Sequence, residues 1–320
     1  NNGIAVAGDV LGGAIAVSGG SIATGLEGIK VTGVADAASS VSLRGGWSIT
    51  TTGSARPCLM LNGAVAGAVA VVGGACAASG GSAIWLTDAL SGSVAVSGGA
   101  TLAAPGAGKK AFYVGSLAAG ASVSISDATL SGPYGVNVPG AIAAAASFSL
   151  TRVAITSTTN AAVIVQGAIA GSLTVTDATV VSGDVGFHFW DDVSGTVAIV
   201  GGSHTATQSV IDMKVAGVLT GSIAVSGGAV LTTATATRKG IYVPAVTGGT
   251  LSVSGGTIDA DFGVYFGLAV SAGATISLAG VAITSGTTAI EFLSTVDAST
   301  VTLDGVSASA TAAVAAGTTL

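Results

Sequence analysis

The sequence predicts an all-β protein, a solenoid of about 12 coils that each carry three short strands. Three observations predict it. A motif of the form small–apolar–small–apolar–x, usually closed by Gly-Gly, recurs as AIAVSGG from Ala14, SVSLRGG from Ser40, AVAVVGG from Ala68 and SVAVSGG from Ser93. It returns from Ser122, Ser147, Ser172, Thr196, Ser222, Thr250, Thr275 and Thr300, so successive starts lie 24 to 29 residues apart. A period of that length marks a stack in which each repeat rests on its neighbours. The composition agrees: half of the residues are hydrophobic but only 4% are aromatic, and 51 are Gly, which suits tightly wound strands of small side chains. Finally, the two-residue alternation of a strand appears twice more inside every coil.

The first strand of each coil is the motif itself. Its second and fourth residues, such as Ile15 and Val17, Val94 and Val96, Leu173 and Val175, point inward and stack as aliphatic columns along the axis. The Gly-Gly pair that follows suits a corner needing positive φ. A short second strand is centred on Ile22, Cys76, Leu130, Ile155, Val180, His204, Val230, Ile258 and Ile283. The third strand reads GIKV from Gly28, CLML from Cys58, AIWL from Ala83, AFYV from Ala111, GFHF from Gly186, DMKV from Asp212, GIYV from Gly240 and GVYF from Gly263. In this register Cys58 points outward and Cys76 inward, which argues against a disulfide between them. An unbroken repeat overrides the two-domain expectation for 320 residues and gives one domain over 1–320.

Three short strands per coil at this spacing resemble the right-handed parallel β-helix of the pectin-lyase-like repeat proteins and of adhesin passenger domains. The resemblance covers the whole chain but is one of architecture, with no family-specific motif behind it. At the strand spacing of about 4.8 Å, such a stack makes a rod roughly 55–60 Å long.

Charge excludes several functions. Only 8% of residues are charged and the net charge is −6, so nine cations cannot form a phosphate-binding stripe and nucleic acid is not an expected partner. The apolar residues are broken up by Gly, Ser and Thr, leaving no span of membrane-crossing length. Asp127, Arg152 and Asp177 share the corner register where other coils carry Gly, and the expectation is a structural ionic ladder with the guanidinium between two carboxylates. An Arg that neutralises both acids leaves neither poised as a base. No catalytic residue, cofactor or metal site is assigned. Asp184, His188, Asp191 and Asp192 form a second polar cluster without a transition-metal ligand spacing, and His204 is read as a core or corner histidine with a backbone partner.

Two surfaces remain as candidates for contact. The outward residues of the first strand are uniformly small, a flat face suited to lateral packing, although Ala interrupts the hydroxyl rows that ice binding would want. Outward positions of the third strand carry large side chains instead: Lys30, Met60, Trp85, Tyr113, His188, Lys214, Tyr242 and Tyr265, with Asn137, Ile164 and Glu291 in the same series. This candidate contact stripe is bordered by a basic edge (Arg56, Lys109, Lys110, Arg238, Lys239) and an acidic one (Asp9, Asp36, Asp88, Asp191, Asp192, Asp297). The chain shows no polar capping repeats, and Gly3-Ile4-Ala5-Val6 reads as a third strand that GTTL at the other end and Asn1-Asn2 would lead back into. The expected function is therefore a subunit or segment of an extracellular or cell-surface β-solenoid filament, whose partner is itself, head to tail and side by side. The alternative is an adhesin or receptor-binding rod for glycans or cell surfaces. An ice-binding protein and a polysaccharide-active enzyme rank behind it.

Overall fold

A computed structural model describes residues 3–33, 35–235, 237–297 and 299–316. Among them there is no helix, and the chain is a parallel β-solenoid of about 12 coils, consistent with the right-handed parallel β-helix expected. The first strands form one 12-stranded sheet in which every strand pairs in parallel with its counterpart in the next coil. Its register is unbroken. Leu150 lies opposite Val175, and Val175 opposite Ile199, so the inward columns fall where the alternation puts them. Val175 and its neighbours are 1% exposed or less.

The second and third strands belong to a single 23-stranded sheet. Strands Thr257–Phe266 and Ala282–Phe292 run through the corner that elsewhere separates the two, with a register shift between Ala260 and Phe262. Before that corner, the glycine pairs behave as expected. Gly98 and Gly99, for example, have φ of 69° and 78°, a region that costs residues bearing a Cβ.

Four features depart from the sequence reading. The second strand of the ninth coil is centred one residue later, because Leu231 and not Val230 stacks inward on His204. Val230 is 37% exposed and Leu231 is fully buried. The third strand of the preceding coil is Ile211–Met213, not the DMKV segment, so Asp212 occupies the outward position assigned to Lys214. Burial decides this: Ile211 and Met213 are both fully buried, which forces Asp212 between them to face out.

The third departure is a fourth inward column that the three-strand reading lacks. Single parallel bridges link Val10, Ala35, Val65 and Leu90, then Leu117, Ile142, Ile169, Val193 and Leu219, then Val246, Val270 and Val296. Each of these residues precedes its first strand by three to five positions, a recurrence visible in the sequence once it is looked for. They close the wall between third and first strands, so the core is continuous from Val10 to Phe292.

The fourth is a disulfide between Cys58 and Cys76, contrary to the expectation from alternation. Both residues are buried. Alternation fails at Cys58 because that residue sits in the bend before its strand, which is Leu59–Asn62. The equivalent positions face the second-strand column: a Cβ on Gly28 would stand 2.3 Å from Ile49 Cγ2, and one on Gly135 2.3 Å from Ile155 Cγ2. Gly and Ala predominate there, with Val210 the exception, and Cys58 fits by bonding to Cys76, which follows Ile49 in that column. GTTL and Asn1-Asn2, whose continuity was expected to join copies, lie outside the described residues.

Candidate functional site

Among the described residues, the third-strand face carries a line of chemically diverse outward side chains. Parallel pairing places Lys30, Met60, Trp85 and Tyr113 in one line, continuing through Asn137, Ile164, His188, Asp212, Tyr242, Tyr265 and Glu291. Lys214 is not in this line. It lies beyond its strand and places its Nζ 3.9 Å from the centroid of the Trp190 ring.

The line is not a continuous exposed stripe. Asn137 and Ile164 point outward but are 4% and 2% exposed. Ile164 joins Ala161 and Val185 in a small hydrophobic cluster outside the main core, against which Tyr134 and Trp190 pack. The stripe therefore splits in two. On one side Trp85 and Tyr113 meet edge to face at 5.4 Å. On the other, Tyr242 and Tyr265 lie 5.7 Å apart, and Lys239 stands 4.8 and 4.7 Å from their centroids.

Four of the five cations of the expected basic edge, Arg56, Lys110, Arg238 and Lys239, find side-chain partners. Arg56 reaches Glu27 at 2.7 Å, with Lys30 3.5 Å from the same oxygen. Burial pushes the Glu27 carboxyl up, but a backbone hydrogen bond, Arg56 and Lys30 outweigh it and hold the group below its ordinary value. Lys110 lies over Tyr134, and Arg238 donates to Gln208. On the acidic edge, Asp36 accepts from the Gly12 amide and Asp192 from the Val218 amide, so these carboxylates tie neighbouring coils together.

Between the two aromatic pairs lies a polar group that the sequence reading only half found. Trp190 Nε1 donates to His188 Nδ1 at 3.0 Å, and His188 Nε2 is 4.0 Å from Asp212 Oδ1. Burial pushes His188 down to about 4, with Lys214 adding to the effect. Burial also pushes Asp212 up to about 6, against a hydrogen bond from Ser209 and the attraction of Lys239. Both shifts oppose a charged pair: burial keeps His188 neutral at neutral pH and favours the protonated form of Asp212 as the pH falls. Asp212 and Trp190 were missed. The apolar pair Ile211 and Met213 around an isolated carboxylate was the signal that could have found Asp212.

The corner ladder holds only in part. Arg152 Nε and Nη2 donate to Asp127 Oδ1 and Oδ2 at 2.7 and 2.9 Å, a bidentate pair. The fork engages one carboxylate, and Asp177 acts on it only at longer range. Asp177 Oδ1 lies instead 2.4 Å from where a Cβ on Gly201 would stand. All three ladder residues have left-handed φ, 48°, 51° and 50°, in place of the first corner glycine. His204 is fully buried, with Nε2 3.1 Å from the Gly201 carbonyl and Phe187 edge-on at 5.3 Å, as expected of a corner histidine.

Among the described residues no group of three or more His, Cys, Asp or Glu is placed to hold a metal ion, and no helix is long and apolar enough to cross a membrane. No protein-family model, curated protein or solved structure matches the chain.

Proposed function

We propose that this chain is a structural segment of an extracellular or cell-surface β-solenoid filament in which copies stack head to tail. The observation that carries the reading is the unbroken parallel register of the first-strand sheet through all of its 12 strands. A stack of near-identical coils with one continuous core is a stiff rod, and its stability grows with each coil added.

The two faces of the stack supply a way to lengthen it. On one face Ile4, Val6, Ile15, Val17 and Ile22 are only partly covered by the core they pack against. On the other, Ile290, Phe292, Val301, Leu303 and Val314 line an open apolar hollow, with Leu303 45% and Val314 41% exposed. Any further coil of this type, from the same chain or from a second copy, would continue the columns and pair the strand edges of the described stack. The Cys58–Cys76 disulfide supports an oxidising compartment.

Sedimentation and negative-stain electron microscopy over a range of concentrations test this. The expected result is fibres one rod wide whose growth stops when a charged, soluble domain is fused to one end. A monomer at every concentration would remove the head-to-tail reading. The half-buried Trp85–Tyr113 pair would then favour an adhesin rod, to be tested by glycan binding with Trp85→Ala as control.

A further inference from the structure

The polar group at the middle of the third-strand face has a geometry that a static rod does not require. Trp190 spans two environments: its ring covers Ala161, Ile164 and Val185, while its indole N–H is held by His188. Because Nδ1 accepts that hydrogen bond, the neutral imidazole carries its proton on Nε2, the nitrogen that faces Asp212. We propose that Trp190 and His188 form an acid-sensitive latch, in which a proton taken from solvent by His188 Nδ1 breaks the indole hydrogen bond and lifts Trp190 off Ile164.

The mechanism is one of donor against donor. An imidazolium has N–H at both nitrogens, so Nδ1 no longer accepts and the indole N–H is left facing another N–H. Lys214, already over the Trp190 ring, adds a second positive charge on the same side.

The charged surroundings set when this happens. From the next coil Asp212 and Lys214 face His188, Lys239 and Asp184 act on Asp212, and Arg238 acts on Asp184. The strand on the other side presents Ile164, which carries no charge. After Trp190, Asp192 is occupied by the Val218 amide. Burial, with Lys214 adding to it, holds His188 neutral until about pH 4, and Asp212, pushed up to about 6, has taken its own proton by then. Opening uncovers Ile164 and the apolar cluster in the centre of the face, joining the two aromatic pairs into one contact surface.

Indole N–H resonances of Trp47, Trp85 and Trp190, assigned with W190F, are followed in the intact chain from pH 8 to pH 3. The expected result is a shift and faster solvent exchange of the Trp190 signal alone, with a midpoint near pH 4, and loss of that transition in H188Q, whose amide oxygen still accepts a hydrogen bond but does not titrate. D212N should keep the transition with its midpoint little changed, because Asp212 is already neutral where His188 takes its proton. A Trp190 signal unchanged to pH 3, the same transition in H188Q, or simultaneous loss of all three signals without a separate Trp190 step would each overturn the latch.

Discussion

Cys58, at the bend leading into the third strand of one coil, is disulfide-bonded to Cys76 on the second strand of the next. The bond crosses from one coil to its neighbour inside the wall of the rod, where most other coils have Gly or Ala, such as Gly28 facing Ile49 and Gly135 facing Ile155. It closes a short loop, 18 residues by sequence separation.

Removing it with Cys58→Ala and Cys76→Val keeps the packing, since Ala83 and Ala111 fill the first position and Ile49 and Leu102 flank the second. From loop closure the loss should be about 3 kcal/mol, confined to the early coils. Denaturation with and without reductant checks this. A wild-type curve indifferent to reductant would show that the crosslink contributes nothing.

Val175 tests the inward columns. It stacks between Leu150 and Ile199 with 1% exposure. Val175→Asp would bury a carboxylate with no partner and should cost about 3–5 kcal/mol or unfold the local coils. Hydrogen exchange across residues 147–200 should show the loss of protection there first.

Arg152 combines an ion pair with a strained backbone. Its side chain is 59% exposed and bound to Asp127, so losing the pair should cost little. The left-handed φ of 51° penalises any side chain, and Gly removes that penalty. Arg152→Gly should therefore be more stable than Arg152→Ala, and a melting comparison that reversed the order would refute the strain argument. The hydrogen bond from Arg152 holds Asp127 below its usual carboxylate range. That contribution is present above the unfolded value of 3.8 and fades as pH falls through the lower folded value, and both variants should lose it.

His204 is stacked between Val180 and Leu231, and its Nδ1 has no hydrogen-bond partner. Burial lowers its pKa from 6.5, against the hydrogen bond to the Gly201 carbonyl. Its neutral form favours folding above pH 6.5, and stability is lost as pH falls toward the depressed folded value. His204→Leu removes the unpaired Nδ1 but also the hydrogen bond to the Gly201 carbonyl, two effects of about 1–3 kcal/mol and opposite sign, so stability at neutral pH should change little while the acid side of the stability profile flattens. Thermal melts at neutral and mildly acid pH would show both effects, and an unchanged acid slope would assign it to other groups.

What was legible in the sequence was everything governed by local periodicity. Two-residue alternation in SLTVT from Ser172 sends Leu173 and Val175 inward whatever lies beyond the coil. The glycine pairs mark corners because left-handed φ is a local steric matter, and the same logic identified the register of Asp127, Arg152 and Asp177. Which carboxylate Arg152 would choose was not local, since it depends on which way a long side chain leans between two coils.

By itself, then, the sequence determined the solenoid, its coil length, its first-strand register and the buried place of His204, because each follows from spacing along one strand. Tertiary structure decided what happens where strands end or coils meet. Alternation does not apply in the bend at Cys58, so only the neighbouring coil shows that this residue faces Cys76. Ile211 and Met213 both need burial, and that need moved Asp212 into the line assigned to Lys214. Trp190 covers Ile164 and divides the aromatic face because apolar area outside the core is removed from water by whichever large side chain can reach it, and reach is set by three-dimensional placement.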